Sequence, residues 1–243
     1  MIRIRQLTKS YDDRKVLKGI DLDLYPGELV MVVGASGSGK SVLLRCIGLK
    51  ERWDGGELHY RNVDMKNTNP LQYWKLSKDW AVLQQNPQLY RKRSAFRNVV
   101  HGRLREFPIW RLLIGGKASE DEHMRAMDYL QSVGLLDKAH QKVEKLSGGE
   151  QQRVAIAKAL GKGAKIVIAD EPVSNLDPHA AERVLDGLRS ICEKERIIAV
   201  VVLQNLELAE RYATRLLGLA DGRVEIDIRG RRLTAGEKIK LNL

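Results

Sequence analysis

The sequence predicts an α/β fold with a mostly parallel sheet, an antiparallel β region at the N-terminus and a helical insertion at about residues 90–160. Near the start of the chain, residues 2–7 and 20–24 alternate apolar and polar positions, as half-buried strands do. After residue 165, short apolar runs alternate with helical patterns, which is typical of a parallel sheet covered by helices. Between these regions, apolar residues recur at helical spacing. We therefore expect residues 1–243 to form a single domain with an inserted helical subdomain.

The N-terminal elements follow from local pattern. After a turn at Pro26-Gly27, Glu28–Val33 is nearly all apolar, which predicts a strand buried on both faces. A helix is predicted over Val42–Leu49, and further strands over Glu57–Val63 and Trp80–Leu83. The alternating apolar positions of the first strands are Ile2, Ile4, Leu7, Ile20, Leu22 and Leu24.

The C-terminal elements repeat the strand–helix alternation. Strands are predicted at Ile166–Ala169 and Ile197–Leu203, with a helix from about Pro178 to Lys194 between them. A helix at Leu206–Ala213 and two short strands near Leu216–Leu219 and Arg223–Ile228 follow. In the helical insertion, the apolar positions with helical spacing are Met124, Met127, Leu130 and Val133.

The composition is that of an ordinary globular protein, with 43% hydrophobic and 30% charged residues. This excludes a disordered chain. Cys46 and Cys192 lie far apart without metal-ligand spacing, so we expect both to be small apolar fillers in a reducing compartment. The net charge of +11, from 42 basic and 31 acidic residues, fits solubility as well as anionic partners. No aromatic-interleaved basic stripe occurs, and no nucleic-acid partner is expected.

The sequence carries no membrane-spanning pattern. The first residues, MIRIRQLTKS, lack the apolar core of a signal peptide. The longest apolar run, Ile197–Leu203, is far shorter than the ~20 residues a membrane helix needs. We expect a cytoplasmic protein whose membrane contact, if any, is made through a partner.

A glycine-rich segment predicts a triphosphate site. Gly34–Ser41 matches the Walker A pattern G-x-x-x-x-G-K-[ST], and it follows an apolar strand and precedes a helix, as the mechanism requires. Its backbone N–H groups and the helix N-terminus would bind the phosphates of ATP, Lys40 would reach the β- and γ-phosphates, and Ser41 would bind Mg²⁺. The residues expected to contact nucleotide here are Gly34, Ala35, Ser36, Gly37, Ser38, Gly39, Lys40, Ser41 and Val42.

A second segment, Ile166–Glu171, is an apolar strand that ends in two carboxylates, which is a Walker B arrangement. Asp170 would hold the Mg²⁺ shell and Glu171 would polarise the attacking water. Alone, such a pair is also compatible with a solvated turn. Together with Walker A, it predicts hydrolysis as well as binding.

A third segment, Leu146–Arg153, reads LSGGEQQR. Ser147 would cap a helix, and Gly148 and Gly149 would expose backbone N–H groups at its start, which makes an anion site. An ordinary capped helix would give the same pattern. The segment precedes the Walker B strand by about one helix length.

This combination resembles the ATP-binding-cassette (ABC) ATPases, a P-loop NTPase family, over nearly the whole chain. The resemblance implies that Tyr11 stacks on adenine, that Gln85 is the Q-loop glutamine that senses Mg²⁺ and the γ-phosphate, and that Asp177 belongs to the D-loop. It further implies a homodimer in which Ser147 and Gly149 of one chain complete the ATP site of the other. Such a dimer serves two integral membrane permease subunits at the cytoplasmic face of the inner membrane.

Finer similarity points to the phosphonate-import branch of this family. The segments that carry it are Asn98–Leu104, Pro108–Arg111, Ala169–Pro178 and Leu206–Tyr212. The implied function is to energise an importer of phosphonates or related phosphorus oxyanions, with an external substrate-binding protein as an indirect partner. An accessory ATPase of a phosphonate-degrading C–P lyase complex is the alternative. A DNA-repair or translation ATPase is a weaker one, since no coiled-coil insert or tandem cassette is visible.

One position departs from the family pattern. Where the family has a histidine after the strand Ile197–Val202, this chain has Gln204. The amide keeps a hydrogen-bond donor but cannot carry the charge of a protonated imidazole. Tolerance, a slow ATPase and an engineered trap of the ATP-bound state all remain open. Our hypothesis is that the chain binds ATP normally and hydrolyses it slowly.

Overall fold

The computed structural model describes residues 1–103 and 120–243, which contain two β-sheets and the helices around them. The segment Pro108–Arg111, which resembles the phosphonate-import branch, lies outside the described residues, as does Leu104. Within them, no helix combines the length and the apolar composition needed to cross a membrane.

The larger sheet has six strands and is mostly parallel, as predicted. Its spatial order is β10-β9-β3-β8-β7-β6, and all neighbouring pairs are parallel except β9 and β10. The strands are β3 (Leu29–Val33), β6 (Trp80–Leu83), β7 (Ile166–Asp170), β8 (Ile198–Val202), β9 (Arg215–Ala220) and β10 (Arg223–Arg229).

The smaller sheet is antiparallel and comes from the N-terminal region. Its order is β2-β1-β4-β5, with β1 (Ile2–Tyr11), β2 (Arg14–Leu24), β4 (Gly55–Tyr60) and β5 (Val63–Asp64). The prediction of one strand over Glu57–Val63 was wrong. Arg61 and Asn62 have φ values of 51° and 63° and form a two-residue hairpin turn that divides the segment.

The helices are α1 (Lys40–Ile47), α2 (Pro70–Ser77), α3 (Ala95–Arg103), α4 (Glu120–Ser132), α5 (Gly148–Gly161), α6 (Pro178–Glu195), α7 (Leu206–Tyr212) and α8 (Ala235–Lys240), with a 3₁₀ turn at Val143–Lys145. The helical region consists of α3, α4 and α5, and Gly161 of α5 approaches the backbone of Val99. In α4, Leu130 is fully buried but Met124 is 61% exposed, so the predicted apolar face does not extend to Met124.

The parallel sheet separates two cores. Leu29, Met31 and Val33 of β3 pack with the helical region and α6, whereas Val30 and Val32 pack with α1 and the antiparallel sheet. This is why the strand is apolar at every position. The register aligns Val32 with Val202 and Asp170 with Val202. The ends of β3, β8 and β7 therefore meet at one edge of the sheet.

Candidate functional site

The loop after β3 depends on glycine conformations. Gly34 has φ of +148°, and a Cβ there would lie 2.1 Å from the carbonyl oxygen of Leu219. Gly39, with φ of +103°, is the N-cap of α1. A side chain at either position would displace the loop from the strand end, so the sequence pattern has a steric reason.

The N-terminus of α1 has free backbone donors. The first helical bond is from the Leu43 N–H to the Gly39 carbonyl, and Gly39 provides no side-chain cap. The N–H groups of Lys40, Ser41 and Val42 are thus left without helical acceptors, and they carry the positive end of the helix dipole. In the described part of the chain, side chains cap other helices at Asn69, Ser94, Ser147, Asp177, Asn205 and Thr234.

Lys40 folds back over the loop. Its Nζ donates to the carbonyl oxygens of Gly34 and Ala35, each at 2.8 Å. Burial lowers the pKa of Lys40, while the nearby carboxylates of Glu171 and Asp170 oppose that shift. A partly desolvated ammonium beside free N–H donors forms an anion site. The side chain of Ser38 is also buried there, and its Oγ makes no hydrogen bond within the described residues.

The carboxylates lie at the adjacent strand end. Asp170 ends β7, and Glu171 follows with φ of +49° and donates its N–H to the carbonyl of Val202. Gln204, just beyond β8, donates from Nε2 to Glu171 Oε1 at 2.6 Å. The amide therefore orients the Glu171 carboxylate, a contact that the sequence did not predict.

A hydrogen-bonded chain connects this edge to Gln85. The Gln85 Nε2 donates to Ser174 Oγ at 2.6 Å, and Ser174 Oγ donates to the Glu171 carbonyl at 3.1 Å. Because its amide nitrogen is used, the Gln85 side-chain oxygen remains as an acceptor. Gln85 itself is exposed, and it does not line the cleft that opens over Gly34–Ser41.

A cleft of about 1130 Å³ opens over the loop and α1. Its lining includes the loop, Glu171, Gln204 and Tyr11. Sequence reasoning missed the wall of mixed charge that the β1–β2 hairpin and the facing turn between β9 and β10 form. Only the tertiary fold brings these segments to the loop, and Lys18 pairs with Asp221 across them at 2.6 Å. The residues of this wall are Asp12, Asp13, Arg14, Lys15, Lys18, Asp221 and Gly222.

The signature segment, Leu146–Arg153, does not line this cleft. Ser147 caps α5, as predicted, in a reciprocal capping box with Glu150. A Cβ on Gly149 would lie 2.9 Å from that of Ala180, so the starts of α5 and α6 touch closely; Gly148 borders Leu176. Asp177 accepts from the Ala180 N–H as the cap of α6. Neither Ser147, the two glycines nor Asp177 lines the cleft of its own chain.

The donor chemistry fits Mg²⁺. Among the described residues, no cluster of three or more His, Cys, Asp or Glu side chains could hold a metal alone. The side chains expected to bind Mg²⁺ can each ligate it through oxygen, namely the hydroxyl of Ser41, the amide oxygen of Gln85 and the carboxylate of Asp170. In proteins, Mg²⁺ is commonly held by one or two carboxylates together with phosphate oxygens. These residues fit a cation that is shared with the nucleotide.

Comparison with known sequences decides the family. The pattern described as "ABC transporter" matches residues 17–174, which include the phosphate loop, the signature segment and both carboxylates. The chain belongs to the ABC transporter family. It is accordingly an ATP-binding, ATP-hydrolysing enzyme of the transport-coupled type.

Curated relatives align over the full length. The chain is 35% identical to "Phosphonates import ATP-binding protein PhnC" of Staphylococcus aureus strain bovine RF122 / ET3-1, with 99% of each chain covered. The protein of the same name from strain MRSA252 is 34% identical, also with 99% coverage.

Solved structures of ABC cassettes share the fold. The dimeric post-hydrolysis cassette MJ0796 bound to ADP and Pi has a TM-score of 0.76 and 30% identity, covering 96% of this chain and 100% of the other. The protein cbiO1 of Clostridium perfringens, part of the transporter complex cbiONQ, gives a TM-score of 0.80 at 24% identity, covering 94% and 88%. Its likeness concerns the fold alone.

Proposed function

We propose that this ABC ATPase energises an importer of phosphonates or related phosphorus oxyanions. The observation that carries the substrate class is the full-length similarity to proteins named for phosphonate import. The cassette does not touch the transported substrate in this account. Its own task is to bind and hydrolyse ATP in the cleft over Gly34–Ser41.

The cleft supplies half of the proposed catalytic site. The free N–H groups at the start of α1 and the ammonium of Lys40 would bind the phosphates, and Tyr11, which lines the same cleft, would stack on the base. Ser147 and Gly149, which are absent from the cleft lining of their own chain, would complete the site of a second copy. The proposed active unit is therefore a homodimer with two sandwiched nucleotides.

Hydrolysis needs an oriented base. Glu171 is held by the amide of Gln204 and would align the attacking water and accept its proton. Ser41, Gln85 and Asp170 would hold Mg²⁺, which when bound neutralises the charge of the phosphates. Gln204 donates without carrying a charge, so it orients Glu171 but adds no cationic stabilisation near the γ-phosphate.

In the proposed assembly, residues 1–243 form one nucleotide-binding domain, and its helical subdomain spans about residues 90–160. Two copies would dock on two integral membrane permease subunits, peripherally at the cytoplasmic face of the inner membrane. An external substrate-binding protein would deliver the oxyanion. Gln85, through Ser174, links the site that would sense the γ-phosphate to Glu171.

Co-purification followed by reconstitution tests this function. The chain is expressed with its genomic neighbours, and the proteins that co-purify with it are identified. The complex with two membrane subunits is then placed in vesicles with the external binding protein. We expect ATP hydrolysis that rises when a phosphonate is added and does not rise with sulfate. Recovery with a soluble carbon–phosphorus lyase, or hydrolysis indifferent to phosphonates, would contradict the proposal.

A further inference from the structure

The hydroxyl of Tyr11 is held at the edge of the nucleotide cleft by two charged side chains. It donates to Glu51 Oε1 and accepts from Arg45 Nη2 at 3.1 Å. Arg45 Nε also donates to Glu51 Oε2 at 2.9 Å, which closes the triangle. The ring is 40% exposed and lines the cleft. One end of the ring is thus anchored while part of its surface faces the ligand space.

Glu51 is the centre of this network. Its side chain is 19% exposed, and Lys9 Nζ lies 3.5 Å from Oε1. Burial alone would raise the pKa of Glu51, but the hydrogen bonds from Tyr11 and Arg45 and the charges around it lower that pKa below its ordinary value. The carboxylate therefore stays ionised and can accept from both partners at neutral pH.

The network also connects Tyr11 to the phosphate-binding helix. Arg45 belongs to α1, whose N-terminus offers the free N–H groups, and the N–H groups of Lys50 and Glu51 donate to the Arg45 carbonyl. Tyr11 comes from the end of β1. In a nucleotide, the base and phosphates are separated by a covalent ribose of fixed size. A ring that supports the base must therefore keep its place relative to α1.

We propose that Glu51, together with Arg45, is a positioning residue that fixes the Tyr11 ring as the platform for the nucleobase of ATP. This inference rests on the proposed nucleotide cleft and deepens it. It assigns to residues outside the cleft lining a part in recognising the base, separate from recognition of the phosphates. The expected mark of that part is a loss confined to ligands that carry a base.

Calorimetric titration with two ligands tests it. ATP carries both base and triphosphate, whereas inorganic tripolyphosphate carries only the phosphates. We expect Glu51→Ala and Tyr11→Phe each to weaken ATP binding about tenfold, since stacking of one base is typically worth that much, and to leave tripolyphosphate binding unchanged. Glu51→Gln should lie between, because an amide has one oxygen to share between two donors. Tyr11→Phe added to Glu51→Ala should cost little more.

The matched control is Glu193→Ala, which removes a carboxylate from an exposed ion pair with Arg189 on α6. It should change neither affinity. Thermal melting checks that every variant is folded. Equal loss of ATP and tripolyphosphate binding in Glu51→Ala, or no loss of either, would overturn the positioning role. Failure of the unaltered protein to bind ATP at all would instead overturn the proposed nucleotide cleft.

Discussion

At the scale of single residues, the contact between Gln204 and Glu171 defines the catalytic edge. The sequence alone predicts that an amide replaces an imidazole, but not what the amide touches. In the fold, the amide donates to the carboxylate that would act as the base. Orientation of Glu171 is therefore retained, and the positive charge is what the substitution gives up.

The variant Gln204→His tests this division of roles. Added to an otherwise unaltered complex, the imidazole should raise ATP turnover by about 10², the usual effect of a charged donor where negative charge develops. It should also introduce an ionisation near pH ~6.5 into the rate profile, which the amide cannot show. Glu171, the carboxylate that the Gln204 side chain contacts, is the same in both proteins. Steady-state rates from about pH 5.5 to about pH 8.5 measure both effects. Equal turnover of the two proteins would refute the hypothesis.

The two cysteines offer a second residue-scale prediction. Both are fully buried and free, and burial raises the pKa of each thiol to about 12. Because the thiolate is the reactive form, neither should react with iodoacetamide at about pH 8 while the protein is folded. Mass spectrometry should find both alkylated only after denaturation. Rapid labelling of the native protein would contradict the burial.

At the scale of elements, apolar strands were the most predictable part. β3, β7 and β8 are apolar on both faces because each separates two cores, and that need is visible in the sequence. The turn at Arg61-Asn62 was missed since it requires positive φ without a glycine. The helices α2 and α8 are not predicted from the sequence because they span only 8 and 6 residues and contain no fully buried residue. In α2, Tyr73 and Leu76 pack against the core only partly buried.

The same distinction applies to the site. The phosphate loop and the carboxylates could be predicted because the residues proposed to bind phosphate, or to act in hydrolysis, are neighbours in one segment of the sequence. The contacts of Tyr11 with Glu51, and of Gln85 with Ser174, join residues far apart in the chain. Their register depends on how the sheets pack, which local pattern does not encode.

Strand β9 also carries an ion-pair network that joins the sheets. Arg215, 6% exposed at its side chain, makes two bonds to Asp227 at 2.6 and 2.7 Å, lies 3.3 Å from Glu28 Oε2 and donates to the Asp23 carbonyl. Asp23 lies near the end of β2 in the antiparallel sheet, whereas Asp227 lies in β10 of the parallel sheet. The guanidinium therefore connects both sheets.

Arg215→Met should destabilise the fold by about 3 kcal/mol, because it leaves the largely buried Glu28 without one of its cationic partners and the Asp23 carbonyl without its donor. Arg215→Lys should recover only part of this, since an ammonium cannot make the paired bonds to Asp227. Urea denaturation measures both. The exposed control Arg189→Met should cost under about 1 kcal/mol. Equal midpoints for Arg215→Met and the control would contradict the network's role.

At the scale of the whole molecule, the two halves of the proposed nucleotide site lie apart within one chain. The cleft gathers phosphate donors, Lys40 and the hydrolytic carboxylate at one edge of the parallel sheet. The signature segment starts α5 in the helical region and does not line that cleft. A single chain should bind ATP and hydrolyse little of it, and a second copy should supply the missing contacts.

The oligomeric state of Glu171→Gln, which should retain bound ATP, tests this central claim most directly. Light scattering after size-exclusion chromatography should show monomers without nucleotide and dimers with Mg-ATP. Adding Ser147→Arg should abolish the dimer while each chain still binds ATP, and adding Lys40→Ala should abolish both. Dimers that form equally well with Ser147→Arg in place would contradict an ATP site shared between the cleft of one chain and the signature segment of the other.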